Sequence, residues 1–427
     1  MKVVVSVPGR YHGFDLAREL ERLGALERLI TSYPHFQAKK FGIDPESVTS
    51  LLPCELYKRT LEGIAKQRAA AFEPSINALF ERLAALALPN ELDVFVGWAG
   101  FSLRALKRAR ATGALGVIEC GSGGHIEFQE ELMREECELH GVEPKSRPSS
   151  IVRRELAEYQ EADAIAVTST FALQTFVKRG FSAEKLIVNP LGVDLTGFTP
   201  AEEPPDKFRI LFVGPVSLRR GTHYLLKAFD ELKLPGSELV LIGPVEPEFE
   251  PFRERYSRPN VYFLGSKPHA ELPKYYRRAS VFVQPSIQEG AAAAMFEAMA
   301  CGLPLILTPN TGGRALIEEG QNGYVVPIRD TKALRSRLEE LYALGDKIVP
   351  MGRHNAEIVA EGYTWRDYGR RAKSAYLERL SRPGSGGVVL RSRRPGLEDS
   401  MRGKQWNATE PDTDPDTDSK EQPDIAG

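Results

Sequence analysis

The sequence predicts an α/β protein built from two successive domains, each a parallel sheet covered by helices on both faces. Three observations carry this expectation. Short continuous apolar runs alternate with amphipathic stretches from the first residues onward, the pattern of strands buried on both faces. The alternation is interrupted at residues 199–206, TPAEEPPD, where three prolines and three acids mark a linker, and then it resumes. A length of 427 residues suits two to three domains, two being the simplest division.

The elements follow in order. Val3 to Val7 reads as a first strand, Pro8 to Gly13 as a glycine-bearing turn, and Phe14, Leu16, Ala17, Leu20 and Leu23 as the apolar face of a helix. Strands are expected at Asp93–Val96, Leu115–Ile118 and Ala164–Thr168, with helices over Phe101–Arg110 and Phe171–Lys178. Residues 126–160 are charged with helical periodicity, and Pro144 and Pro148 divide them into two helices. After the linker come strands at Ile210–Val213, Glu238–Ile242, Val261–Leu264, Val281–Val283 and Pro304–Leu307. From about Pro383 the chain reads PGSGG, RSRRPG and TEPDTDPDTDSKEQPD, too polar to offset chain entropy, so a disordered tail is expected there. The Asn407-Ala-Thr match to a glycosylation acceptor in that tail is taken as chance.

Composition excludes several classes. Hydrophobic residues make up 42%, charged residues 27% and aromatics 9%, the balance of a globular chain and not of a fibrous or disordered one. Lys and Arg number 56 against 58 Asp and Glu, a formal charge of -2, so nucleic acid is not expected as a partner. Cys54, Cys120, Cys137 and Cys301 have neither metal-site nor disulfide spacing, and reduced, buried thiols are expected. The first apolar run is shorter than the about 7–15 residues of a signal-peptide core, and no window reaches the roughly 18 apolar residues of a spanning helix. A cytoplasmic location is expected. One helix is basic at Arg104, Lys107, Arg108 and Arg110; such a face is more often solvated, and it leaves peripheral contact with the inner membrane face open.

The most informative stretch is Gln284-Pro-Ser-Ile-Gln-Glu289-Gly290, then AAAAMF, then Glu297-Ala-Met-Ala-Cys-Gly-Leu-Pro. A strand ends near Val283, a loop presents Glu289, and Ala291–Ala300 has strong helix-forming composition. The start of that helix, with its free backbone N–H groups, makes a phosphate site beside Glu289. A carboxylate does nothing for phosphate itself. It accepts hydrogen bonds from hydroxyls attached to that phosphate, as in the sugars of a nucleotide diphosphate. Each glutamate alone would more often be a solvated helix-end acid.

This run resembles the signature of the family-4 retaining glycosyltransferases (glycosyltransferase group 1, GT-B fold), with two glutamates separated by seven residues and followed by AMACGxP. The resemblance implies that Glu289 holds the donor sugar, that Glu297 binds the nucleotide ribose, and that Gly290, Ala291, Ala292 and Ala293 offer amides to phosphate. Four alanines, Ala291 to Ala294, stand where the family has another glycine and larger apolar residues, which bears on donor choice.

Leu211-Phe-Val-Gly214-Pro-Val-Ser-Leu-Arg219-Arg220-Gly221 looks like the family's diphosphate loop, with Arg220 in the position usually held by lysine. A guanidinium chelates phosphate oxygens through two N–H groups, and Arg219 is expected to assist. Gly214 falls at the family's first glycine, whereas Pro215 removes a common basic contact. His125, after the glycine cluster Gly121-Ser122-Gly123-Gly124, stands at the end of a parallel strand where open sheets bind ligands. It is the candidate for contact with donor sugar or acceptor, although a lone histidine is more often structural. Gly13 is the candidate for close backbone approach in the first turn. Asp194 is read as structural.

The resemblance covers roughly residues 1–380 and is strongest over 208–330. It implies two Rossmann-like domains facing a cleft: residues 1–200 for the acceptor, 206–362 for the nucleotide sugar, and a helix at 363–381 crossing back, with 383–427 as the tail. The expected activity is transfer from a nucleotide-diphosphate sugar to a sugar, lipid-linked or small-molecule acceptor. Retention of configuration is implied, with no metal ion and no cofactor. The two Asp-Thr-Asp runs at 412–418 lie in the tail and are not read as metal motifs. An oxidoreductase would need GxGxxG after a strand, which the first turn PGRYHG lacks. A GT-B epimerase or phosphorylase and a non-catalytic sugar-nucleotide-binding module are the competing readings.

Overall fold

Branched aliphatic residues without polar interruption favour strands buried on both faces, and those of the N-terminal half pair side by side. In the computed structural model, which describes residues 1–382 other than 65–68, 122 and 204, seven strands form the first sheet. They are β1 (Val3–Ser6), β2 (Leu26–Thr31), β3 (Val48–Ser50), β4 (Val94–Trp98), β5 (Leu115–Cys120), β6 (Ala164–Val167) and β7 (Leu186–Val188). Their order is β3-β2-β1-β4-β5-β6-β7, parallel throughout. The second sheet holds β8 (Arg209–Val213), β9 (Glu238–Ile242), β10 (Val261–Phe263), β11 (Val281–Gln284), β12 (Leu305–Leu307) and β13 (Gly323–Val325). Its order is β10-β9-β8-β11-β12-β13, again parallel.

Successive side chains on a strand point to opposite faces, and here both faces are covered. Val4, Phe95 and Ile118 enter one cluster while Val5, Val96 and Val117 enter another. In the second sheet Ile210, Phe212 and Ile306 pack on one side and Leu211, Phe282 and Leu305 on the other. Burying each such side chain contributes about 1.5–3 kcal/mol. The cluster containing Val5 and Val117 also contains Leu211 and Phe282, so one core runs continuously between the two sheets.

The last described helix, Trp365–Leu380, ties the chain's end to its beginning. Thr364 caps it reciprocally with Asp367: the Asp367 amide donates to Thr364 Oγ1 (3.2 Å) and the Thr364 amide to Asp367 Oδ2 (3.1 Å). The helix then packs on Gly13–Arg22, with Tyr368 donating to Glu119 Oε1 at 3.3 Å and Lys373 to the Leu23 carbonyl at 2.8 Å.

The predicted α/β class and parallel sheets are thus present, with two differences of detail. Strands β2, β3, β7 and β13 were not anticipated; β2 is interrupted by Glu27 and Arg28, and the other three are each three residues long. The helix expected from Ala291 starts at Ala293, because Ala292 is extended (φ -84°, ψ 130°). As expected, the four cysteines form no disulfide and are buried. The tail from 383, Asn407 and the Asp-Thr-Asp runs lie outside the described residues, as does Ser122.

Candidate active site

In each sheet the strand order reverses direction between two neighbours, β1 and β4 in the first, β8 and β11 in the second. Ligands of open α/β sheets bind at the carboxyl ends of such pairs. The loop leaving β8 carries Arg219 and Arg220, and the loop leaving β11 carries Gln288, Glu289 and Gly290. The two loops are laced together. The Arg219 carbonyl accepts from the amides of Ile287 (3.0 Å) and Gln288 (3.2 Å), and Arg219 Nε donates to the Gln288 carbonyl at 3.3 Å.

Gly221 closes the first loop in the left-handed region, φ 63°, where a Cβ would stand 2.0 Å from the Pro285 carbonyl oxygen. No other residue fits both demands. The turn swings the chain into the helix Thr222–Glu231 and aims Arg220 back at the second loop, where its guanidinium forms an ion pair with Glu289. Glu289 is 6% exposed, and its other oxygen accepts from the Gly290 amide at 3.2 Å.

Cations outnumber anions at this spot. Burial pushes Arg219 down to about 10, helped by the nearby Arg147, and burial together with Arg219 pushes Arg220 down to about 9. Both still carry charge at neutral pH, and the Glu289 carboxylate against Arg220 favours that charge further. A cavity of roughly 390 Å³ opens beside Arg219, lined by Arg134, Lys145 and Arg147 and also by Glu130, Glu143 and Glu248.

Ala292 caps the helix Ala293–Ala300 and has no side-chain acceptor to offer the first-turn amides. The helix begins immediately after Glu289–Gly290, so its N-terminal partial positive charge adds to that of the arginines. About one turn into the helix, Glu297 is 7% exposed. One oxygen accepts from Tyr276 Oη at 2.9 Å, and the other meets His269 Nε2 at 2.8 Å. That bond holds His269 above its usual range.

The first sheet meets this site through backbone. A Cβ on Gly290 would stand 2.5 Å from Gly123 Cα, and one on Gly123 would stand 3.0 Å from the Gly290 amide nitrogen. Thr168 Oγ1, buried and without a hydrogen-bond partner, lies beside the same contact. Gly13 opens the helix Gly13–Arg22, wedged against Val7 and Trp98. Gly214 follows β8 and donates its amide to the Ile242 carbonyl at 2.8 Å.

The structure therefore brings Arg219, Arg220, Glu289, Gly290 and the alanines together, with Glu297 on the same helix, and it places His125 elsewhere. The His125 ring is 2% exposed and packs among Tyr159, Phe176 and Phe181, with centroids 5.2–5.7 Å away. Burial keeps it below its usual range. An aromatic pocket encloses the ring, with Glu127 Oε2 3.9 Å from its Nδ1. Sequence reasoning passed over His12, in the first turn beside Gly13. Its Nε2 lies 3.5 Å from Glu119 Oε2 and its ring 5.0 Å from Trp98. The available signal was a histidine placed directly before the helix that follows the first strand.

Two parallel Rossmann-like sheets with facing loops at their switch points define the GT-B class of glycosyltransferases. Residues 198–356 match the family model described as glycosyl transferases group 1. A Salmonella typhimurium protein named as a colanic acid biosynthesis glycosyltransferase, WcaL, is 29% identical over 363 residues, 76% of this chain and 84% of its own. The Escherichia coli protein of the same name is 29% identical over 299 residues, 65% and 68% of the two chains. Among solved structures, sucrose-phosphate synthase from Thermosynechococcus elongatus shares the fold with TM-score 0.64 at 19% identity, covering 89% of this chain and 99% of that one. Anabaena HepE, solved with UDP and glucose, does so with TM-score 0.64 at 14% identity, covering 88% and 100%.

Proposed function

We propose that this glycosyltransferase takes its sugar from a nucleotide-diphosphate donor and passes it, with retention and without a metal ion, to a sugar or lipid-linked acceptor. The observation carrying this reading is the buried pairing of Arg220 with Glu289 beside an uncapped helix start. A nucleotide-diphosphate sugar supplies the complement of both groups. Its phosphates suit Arg220, Arg219 and the amides after Gly290, and its hydroxyls suit the Glu289 carboxylate. Glu297, already accepting two hydrogen bonds at its carboxylate, is the partner for ribose hydroxyls.

Chemically, the bond between the sugar and the leaving phosphate breaks as negative charge builds on the diphosphate. Preorganised cations and amides lower the energy of that charge more than water does, which is the role a divalent metal plays elsewhere. Retention places the acceptor hydroxyl on the same face as the leaving group, so its proton passes to the departing phosphate. Gly13 and Gly123 keep the backbone of the first sheet close enough for the acceptor to reach that face. His125 acts from behind this surface, as a packing residue under the Gly123–Gly124 turn.

UDP sugars are the first donors to try, given the ligands of Anabaena HepE, and an exopolysaccharide precursor is the first acceptor, given the name of the Salmonella relative. Two charges of the basic helix are already matched by acids of this chain. Arg110 is paired with Glu161 at 2.6 Å and Asp163 at 2.9 Å, and Arg104 lies 3.8 Å from Glu81. Among the described residues no helix is long and apolar enough to cross a membrane.

The test is thermal stabilisation by UDP, GDP and ADP sugars, followed by turnover of the stabilising donor with and without acceptor. Stabilisation by one donor class and acceptor-dependent transfer are expected. Binding without transfer or hydrolysis would favour a non-catalytic sugar-nucleotide module instead. Conversion of the donor with no acceptor incorporated would favour an epimerase.

A further inference from the structure

A second polar cluster lies between the sheets, away from the carboxylates assigned above. Glu136 and His140 are four residues apart at the end of the helix Ile126–Leu139 and so share a face. His223 faces them from the first turn of the helix Thr222–Glu231. His223 Nε2 stands 3.0 Å and His140 Nε2 3.3 Å from the same atom, Glu136 Oε1. All three ligand atoms lie within 4.8 Å of one another.

From these positions we infer that Glu136, His140 and His223 bind a divalent transition metal of the zinc class, and that the ion clamps the two helices together. Zinc binds histidine nitrogen and carboxylate oxygen at about 2.0–2.2 Å in a tetrahedron, whose edges are then about 3.3–3.5 Å. The two edges to Glu136 Oε1 are near that length, and the His140–His223 edge is no longer than 4.8 Å. The chemistry of the donor set, two imidazoles and one carboxylate, leaves the fourth position for water. Tyr224 Oη is 3.2 Å from His140 Nε2 and is placed to hydrogen-bond that water.

The surroundings favour a cation. Glu136 is fully buried, and its second oxygen is oriented by Arg329 Nε at 2.7 Å, leaving Oε1 for the ion. Such second-layer bonds fix metal carboxylates in place. Glu135 neutralises the same arginine at 2.8 Å, so Arg329 is offset by one acid and Glu136 contributes the uncompensated negative charge. His223 Nε2 hydrogen-bonds Glu136 Oε1 at 3.0 Å and its Nδ1 is buried without a partner, so the ion would replace the Nε2 bond. Since His223 stands three residues beyond Arg220, the clamp would steady the start of the helix that follows the diphosphate loop.

The experiment uses the full chain, stripped with EDTA and returned to zinc or cobalt(II), with metal counted after gel filtration and cobalt(II) read by its visible spectrum. Roughly one zinc per chain and a tetrahedral cobalt band are expected. His140→Ala, at a partly exposed position, and His223→Gln should each weaken binding by at least about 100-fold with the circular dichroism spectrum unchanged. Cys137→Ser, on the same helix, should bind as before. Wild-type chain that takes up no metal, variants that bind like wild type, or loss of binding on Cys137→Ser alone would each overturn the inference. None of these readouts involves sugar transfer, so the outcome is independent of the proposed activity.

Discussion

The carboxylate of Glu289 lies against the guanidinium of Arg220, two residues 69 positions apart in sequence and held together by loops leaving adjacent strands. The pair is a cation and an anion satisfied by each other, at a place where a donor would offer both of them new partners.

Glu289→Gln keeps the size of the side chain and removes the charge. Transfer should fall about 100- to 1,000-fold in kcat, with a much smaller change in donor KM and an unaltered circular dichroism spectrum. Near-wild-type turnover would remove Glu289 from the mechanism.

Arg220→Lys retains the charge but not the two-pronged geometry. Nucleoside diphosphate affinity should drop by about tenfold, roughly 1.4 kcal/mol, and Arg220→Ala should drop it further. Calorimetric titration separates the two. Equal affinity for wild type and both variants would show that the phosphates bind elsewhere.

Gly290→Ala puts a methyl group where the Gly123 backbone sits, 2.5 Å away. A stability loss of about 1–3 kcal/mol is expected from such overpacking, together with a fall in kcat larger than that of Gly236→Ala, where a Cβ meets nothing within 4 Å. Chemical denaturation and steady-state kinetics measure both.

His269 is held above its usual 6.5 by its bond to Glu297. A histidine raised in the folded state contributes stability that is complete below 6.5 and is lost as pH rises through the raised value. Melting temperature should therefore decline over that interval in wild type, and His269→Ala should flatten the decline. A slope that survives the substitution would assign it to another group.

Much of this architecture was legible in advance because buried parallel strands are written as uninterrupted apolar runs. Val3–Ser6, Ile210–Val213 and Val281–Gln284 are of that kind. Strand β2, LERLIT, hides behind two charged residues, and β3, β7 and β13 are too short to carry a period of their own; their pairing with neighbours creates them. Glu289 stood out as a loop carboxylate before a helix start, but its link to Arg220 came only through resemblance, since nothing in periodicity connects positions so far apart. His125 sits in surroundings that its local sequence does not announce. After a glycine cluster a histidine reads as a ligand, and the three rings that enclose it come from positions 159, 176 and 181, where local sequence gives no hint of convergence.

The central claim is that Arg220 and its neighbouring amides grip a nucleoside diphosphate. Calorimetric titration of UDP, GDP and ADP into wild type and Arg220→Ala, with no divalent metal added, tests it most directly. One nucleotide should bind wild type without added metal and bind the variant at least about tenfold more weakly, a difference of roughly 1.4 kcal/mol. Equal affinity in the two proteins, or binding by neither, would contradict the account.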